Sequence, residues 1–369
     1  MEQIILFAFL ILFPFGQIIK IGPLNPIDIV IALGAITAII KRYKYPVAFK
    51  HIKDFLFIAV FGYLLSVFIF RNSQVIVGLL YLLRLAAYLY FYVFVSHFKK
   101  KELLLNSLLS LSLVSALFGW FQYFIYPDLT SLKYLGWDDH LFRLVGTFLD
   151  PGFTSLIIVF GAVISYVKKR NLLLMFFIVT LAFTYSRAGY LALIVSMFLA
   201  AYVFKRFKMF LITLICFLVI IFLLPRPAGQ GVNLARTYSI SSRISNYKET
   251  FTIFKKSPVF GVGFNNICLA KMIYLKNIDS ASHSCSGSDS SLLLILATTG
   301  TIGFIIFVSS ISKILFNLKK GFYTKVFLVL ISAVFVHSFF VNSLFYPWIM
   351  GYLAISASLT DVITRRRTV

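Results

Sequence analysis

The run KRFKMFLITLICFLVIIFLLPRP, residues 205–227, decides the fold. Lys205, Arg206 and Lys208 lead into a stretch from Met209 to Leu224 that contains no charged residue, and Pro225-Arg226-Pro227 ends it abruptly. An uncharged apolar segment of about that length reads as a helix crossing a bilayer, because in hydrocarbon only intrahelical bonding satisfies every backbone group of a lone segment. The same order of basic cluster, apolar run and turn recurs along the chain. Sixty per cent of the 369 residues are apolar, mean hydropathy is +0.93, and the 42 Phe and 20 Tyr suit lipid-facing surfaces and interfacial belts. The expected fold is an all-α polytopic membrane protein of about twelve transmembrane helices forming one membrane domain, 1–369.

Apolar periodicity and charge place the spans at 3–19, 26–40, 54–70, 75–97, 103–125, 152–168, 171–186, 188–204, 208–224, 291–316, 324–343 and 347–361. Between them lie short basic clusters: Lys41-Arg42-Tyr43-Lys44, Lys99-Lys100-Lys101, Lys168-Lys169-Arg170, Lys205-Arg206-Phe207-Lys208, Lys319-Lys320 and Arg365-Arg366-Arg367. A net charge of +23 spread in this way belongs to the cytoplasmic loops of a membrane protein, not to a nucleic-acid-binding face. With the N-terminus inside, all six clusters fall inside; the reverse topology puts all six outside. The first segment has neither a basic n-region nor a small-residue cleavage site after it, so it reads as retained. Both termini are then cytoplasmic, and the two longest loops, 126–150 and 225–289, face outward. Cys216 lies within a span as a small core residue, whereas Cys268 and Cys285 share the outer loop, where oxidation permits a disulfide. No Cys/His spacing resembles a zinc site.

Candidate chemistry concentrates at that outer side. In Thr184-Tyr185-Ser186-Arg187-Ala188-Gly189, Arg187 stands at a tight turn between two spans. Its side chain can snorkel to the interface, or its planar fork can bind a diphosphate through two oxygens. Arg143 precedes Gly146-Thr147-Phe148 and Asp150-Pro151-Gly152, in which Asp150 reads as an N-cap and Pro151 as the first helical residue. In the long loop, Ile240, Ile244, Tyr247, Phe251 and Phe254 recur at helical spacing around Ser242–Phe254. That pattern predicts a short amphipathic helix on the outer leaflet, stopped by Pro258 and holding Arg243 near the headgroups. Gly261-Val262-Gly263 follows, a turn whose bare backbone could approach a ligand. Asp289 and His283 are the acid/base-capable groups of the loop nearest the membrane, although Asp289 could equally cap the helix that follows. Arg84, midway along the fourth span, has two readings: a buried partner for a polar group on another helix, or a charge lining the path of a lipid ligand.

Four stretches together, Arg143–Gly152, Thr184–Gly189, Arg243 to Gly263 and Asp289 to Gly303, resemble the superfamily of O-antigen polymerases (Wzy-type) and O-antigen ligases. The resemblance implies a membrane glycosyltransferase at the outer face of the bacterial inner membrane. Its donor would be an undecaprenyl-pyrophosphate-linked oligosaccharide drawn from the membrane lipids, and neither cofactor nor metal is implied. Arg187 and Arg243, with Arg143 and Arg84 as further candidates, would bind the pyrophosphate, and Asp289 or His283 would serve as base. Many ligases carry a His-Asn pair where this chain has Asp289, a departure that favours polymerisation of repeat units over transfer to a lipid core. A chain-length regulator is the partner such a polymerase implies. A transporter of the same lipid-linked sugars is the competing reading from another class. Against it, no inverted repeat is visible, and the polar residues gather in outer loops instead of along several spans.

Overall fold

The computed structural model describes residues 2–20, 24–71, 73–135, 138–227, 229–275, 285 and 287–360. Among them the chain is helical, with one isolated bridge, Asp128 to Leu141, in an outer loop. The apolar helices are α1 (Glu2–Leu12), α2 (Pro26–Ile40), α3 (Val47–Phe70), α4 (Ile76–Val95), α5 (Lys101–Ile125), α6 (Pro151–Val167), α7 (Asn171–Ala182), α8 (Arg187–Phe204), α9 (Phe207–Leu223), α12 (Ser291–Phe316), α13 (Phe322–His337) and α14 (Pro347–Ser358). The long polar loop adds α10 (Tyr238–Lys256) and α11 (Ile267–Leu275). Helices α3, α4, α5, α8 and α12 are long and apolar enough to cross a membrane, and the other apolar helices are shorter. The molecule is an all-α polytopic membrane protein, and the apolar runs read from the sequence correspond one to one with its apolar helices.

Several helix ends differ from the sequence expectation, each for a local reason. The first run, expected to 19, leaves α-helical geometry at Leu12, because Pro14 opens a 3-10 turn and Gly16 takes φ +56°. The third, expected from 54, begins at Val47 directly after Pro46 and carries Lys50, His51, Lys53 and Asp54 on its basic end. The seventh stops at Ala182, since Tyr185 adopts a left-handed φ of +49° in the turn before Arg187. The eleventh stops at His337.

The basic clusters meet at one end of the bundle through a chain of contacts. Lys41 and Tyr43 bond to Glu2, Tyr43 stacks on His97, Lys168 pairs with Glu102, Tyr166 bonds to the Arg206 carbonyl, and Lys325 lies over Phe204. Arg365–Arg367 lie outside the described residues. The long loops gather at the opposite end, where α2, α4, α6, α8, α12 and α14 begin. Helix α6 is the central pillar: every residue from Thr154 to Val167 is buried, against α5, α7, α8 and α13.

Helix α12 is broken at Gly300, with φ 68° and ψ −173°. The segment Pro258–Gly263 dips to this break and supplies what it orphans. Val262 N donates to the Ala297 carbonyl and Gly263 N to that of Thr298, both at 3.0 Å, while Thr301 N donates to Pro258 O at 2.9 Å and Ile302 N to Val259 O at 3.3 Å. Irregular backbone at membrane depth survives only when protein groups satisfy it in this way. The approach demands glycine on both sides. A Cβ on Gly261 would stand 2.4 Å from the Thr298 carbonyl carbon, and one on Gly300 would stand 2.2 Å from Val259 O. The bare backbone of Gly261–Gly263, which the sequence left open as a place for a ligand's approach, meets α12.

Candidate functional site

The turn between α7 and α8 is fixed from three sides. Ser186 caps α8 by accepting a bond from Gly189 N at 3.3 Å, and its hydroxyl meets that of Ser155 on α6 at 3.1 Å. From beneath, buried Arg143 donates through Nε to Thr184 O at 3.1 Å and through Nη2 to Tyr185 O at 3.3 Å. From the polar loop, Arg236 donates to Tyr185 O at 3.3 Å and to Gly231 O at 2.6 Å. Arg187 projects from this turn, its Nη1 bound to Leu234 O at 3.3 Å and Arg236 O at 3.1 Å and its Nη2 to the Ser239 hydroxyl.

Four guanidinium groups, Arg143, Arg187, Arg236 and Arg243, thus lie close enough to feel one another's charge. Burial is the main influence on Arg236, lowering it to about 10, and repulsion from Arg187 and Arg243 adds to it. Arg143 is pulled down to about 9, first by burial and then by Arg236, with Asp150 opposing. Both stay charged at neutral pH, in surroundings that favour an added anion. Arg243 is half-buried on α10 and, among the described residues, takes part in no ion pair.

Helix α10 lines two cavities. The first, about 370 Å³, lies between α10 and α8 and is lined by Arg187, Ala188, Leu191, Ile240, Arg243, Ile244, Tyr247 and Phe340. Its two arginines sit beside apolar walls. Of the predicted stripe of α10, Ile240, Ile244 and Phe251 are exposed, with Ile240 and Ile244 at the cavity, while Asn246, Thr250 and Ile253 form the packed face. Tyr247 anchors the helix by donating to the Phe339 carbonyl.

The second cavity, about 400 Å³, is polar and takes Asn246 of α10 into its lining. Four helices begin at its wall: α2 after Asn25, α6 after Asp150, α12 just past Asp289 and α14 at Tyr346-Pro347. Pro26, Pro151 and Pro347 mark three of those starts, and the positive ends of the helix dipoles converge there. Asp289 lines this cavity, its amide donating to Asn246 Oδ1 of α10 at 2.9 Å. Burial raises its carboxyl above the ordinary range, with the charges of Arg243 and Lys271 opposing. The segment carrying Asp289 is tethered behind: Lys271, fully buried on α11, donates to Gly287 O at 3.2 Å and pairs with Glu249 of α10 at 3.3 Å. A Cys268–Cys285 disulfide ties the same segment to α11.

The sequence-derived candidates separate accordingly. Arg187 and Arg243 line one cavity, and Asp289 and Arg84 line the other. Arg143 lines neither; the structural role its sequence context did not reveal is to clamp the Arg187 turn. Arg84 Nη2 pairs with Asp28 Oδ2 on α2 at 2.8 Å, and Tyr88 donates to the other Asp28 oxygen at 3.0 Å, so the buried-partner reading has its counterpart while Arg84 also faces the cavity. Asp150 is the expected N-cap, accepting from Gly152 N at 2.6 Å and Phe153 N at 3.0 Å. His283 lies outside the described residues. The site also contains Arg236, Asn246 and Tyr247, which sequence reasoning did not select. Their signal was faint: Arg236 lies in the polar loop ahead of α10, and the other two sit on the predicted helix. Among the described residues no group of three His, Cys, Asp or Glu side chains could hold a metal ion.

Residues 172–308, from the first turn of α7 into α12, match the family model described as O-antigen ligase. None of the curated proteins matches the chain. The matched stretch includes Arg187, Arg236, Arg243 and Asp289. Across α7 to α12 the chain is thus similar to the O-antigen ligase family, which is consistent with the superfamily of O-antigen polymerases and ligases.

Proposed function

We propose that the protein is a membrane glycosyltransferase that lengthens a lipid-linked polysaccharide at the outer face of the bacterial inner membrane, using an undecaprenyl-pyrophosphate oligosaccharide as donor. The observation carrying this reading is the pair of cavities that share α10 in their walls, one lined by Arg187 and Arg243, the other by Asp289, which feels the charge of Arg243. In the first, guanidinium groups bind the diphosphate while Leu191, Ile240 and Ile244 meet the polyprenyl chain. The polar cavity takes sugar. An acceptor hydroxyl oxygen attacks the anomeric carbon as its bond to the pyrophosphate oxygen breaks; the electron pair leaves with the pyrophosphate, and Asp289 takes the hydroxyl proton. Pyrophosphate is already a good leaving group, so charge neutralisation and alignment of the two sugars supply most of the acceleration. A chain-length regulator is the partner this reading anticipates.

The ligase reading, transfer of finished glycan to a lipid core, draws support from the description of the matched family. Purified protein supplied with lipid-linked repeat units is expected to give a ladder of longer lipid-linked glycans. Transfer to a lipid core without a ladder would establish the ligase instead. Movement of the lipid-linked sugar across vesicles with no new glycosidic bond would make the protein a transporter.

A further inference from the structure

At the basic end, far from Arg187 and Asp289, α7 packs beside α9 and a groove of about 430 Å³ opens between their first turns. Its mouth holds Asn171, Arg206 and Lys208; its floor is Leu174, Met209 and Ile212. The floor runs out to the exposed apolar face of α9, through Leu211, Ile212 and Ile215.

Electrostatics at the mouth are uncompensated. Neither Arg206 nor Lys208 is in an ion pair among the described residues, whereas Lys41 and Lys168 at the same end each have a glutamate. Arg206 is held in place: Nη1 donates to Tyr166 O at 3.2 Å and Val167 O at 3.0 Å, and the described residues give its Nε and Nη2 no acceptor. The helix starts are also of the wrong sign. Asp150, Ser186 and Ser290 cap α6, α8 and α12 with oxygen atoms, but α7 and α9 begin at Arg170 and Arg206, with no side chain accepting from their first turns. A cation at the positive end of a helix dipole is unfavourable, and two such ends flank one groove. An anion between them relieves both.

We propose that this groove binds one anionic phospholipid of the adjoining leaflet. Its headgroup phosphate sits among Asn171, Arg206 and Lys208, with an acyl chain along Leu174, Met209 and Ile212. The apolar floor and its continuity with the lipid-facing side of α9 select a phospholipid over a free phosphate, and the charge selects an anionic headgroup over a zwitterionic one.

The test is native mass spectrometry of the purified full chain in nonionic detergent, with phosphatidylglycerol and phosphatidylcholine of matched acyl chains. One phosphatidylglycerol is expected to be retained about tenfold or more in preference to phosphatidylcholine, the effect of one to two basic side chains at about fivefold each. Lys208→Gln should weaken retention about fivefold. Ile212→Trp, which fills the floor at an exposed position, should weaken it as well, and Lys319→Gln/Lys320→Gln should leave it unchanged. Equal retention of the two lipids, or no effect of Lys208→Gln, overturns the proposal. So does an equal loss in the Lys319/Lys320 variant, which would mean diffuse surface attraction. An unaffected Ile212→Trp protein that inorganic phosphate stabilises as well as lipid would make the groove a simple anion site, which also overturns it.

Discussion

Arg187 and Arg243 are the same residue type in one cavity, yet their surroundings differ. Arg187 is committed to Leu234, Arg236 and Ser239, and so joins the loop to the turn as much as it presents charge. Among the described residues Arg243 has no comparable tie, which makes it the cation more available to a ligand. Hydrogen bonds to a charged group contribute about 1.5–3 kcal/mol. Arg243→Ala is thus expected to lower kcat/KM by about 10- to 100-fold with the melting temperature unchanged. Asp289 adds a pH signature to the same experiment. A base works only when deprotonated, and burial raises this carboxyl, so activity should climb with pH through a limb displaced above the usual carboxylate range. Asp289→Asn should lose about 10²- to 10⁴-fold in kcat and the limb with it. A limb that persists in Asp289→Asn would assign the base elsewhere.

Single elements show how local sequence and tertiary context share the work. Helix α10 was legible because its apolar residues recur at helical spacing; which face would meet the protein was not, since the packed side is Asn246, Thr250 and Ile253, a mostly polar face that periodicity discards. Helix α12 shows the converse. Its sequence, rich in Leu, Ile and Thr, reads as an unbroken span, and the break at Gly300 exists only because Pro258–Gly263 arrives to satisfy the freed backbone. Gly300→Ala would force an L-residue into a glycine-only conformation and place its Cβ 2.2 Å from Val259 O. It should destabilise the protein by about 2 kcal/mol or more, read as a lower melting temperature. Gly321→Ala is the control, because nothing lies within 4 Å of its added Cβ. A neutral Gly300→Ala would mean that the loop and α12 can part without cost.

At the scale of the molecule, the two ends carry different charge arrangements: dense Lys and Arg clusters with two glutamate pairs at one, four arginines gathered about the α7–α8 turn at the other. By the positive-inside rule the clustered end is expected in the cytoplasm and the cavities between α8, α10 and the outer loops are expected outside. A membrane-impermeant maleimide on intact cells should therefore label Ser241→Cys on α10 and spare Lys169→Cys until the membrane is opened, both positions being exposed. The reverse pattern would leave the proposed donor with no arginines to meet.

The sequence by itself determined the membrane class, the succession of apolar helices, the separation of basic clusters from polar loops and the Asp150 cap. All of these follow from local composition and the cost of unpaired backbone in hydrocarbon. It also selected Arg187, Arg243 and Asp289. Only the tertiary structure decided that Arg187 and Arg243 line one cavity and Asp289 a second, that Arg143 supports a turn, and that Arg84 pairs with Asp28. Those outcomes depend on contacts between segments tens to hundreds of residues apart, and spacing along the chain carries no record of such distances in space.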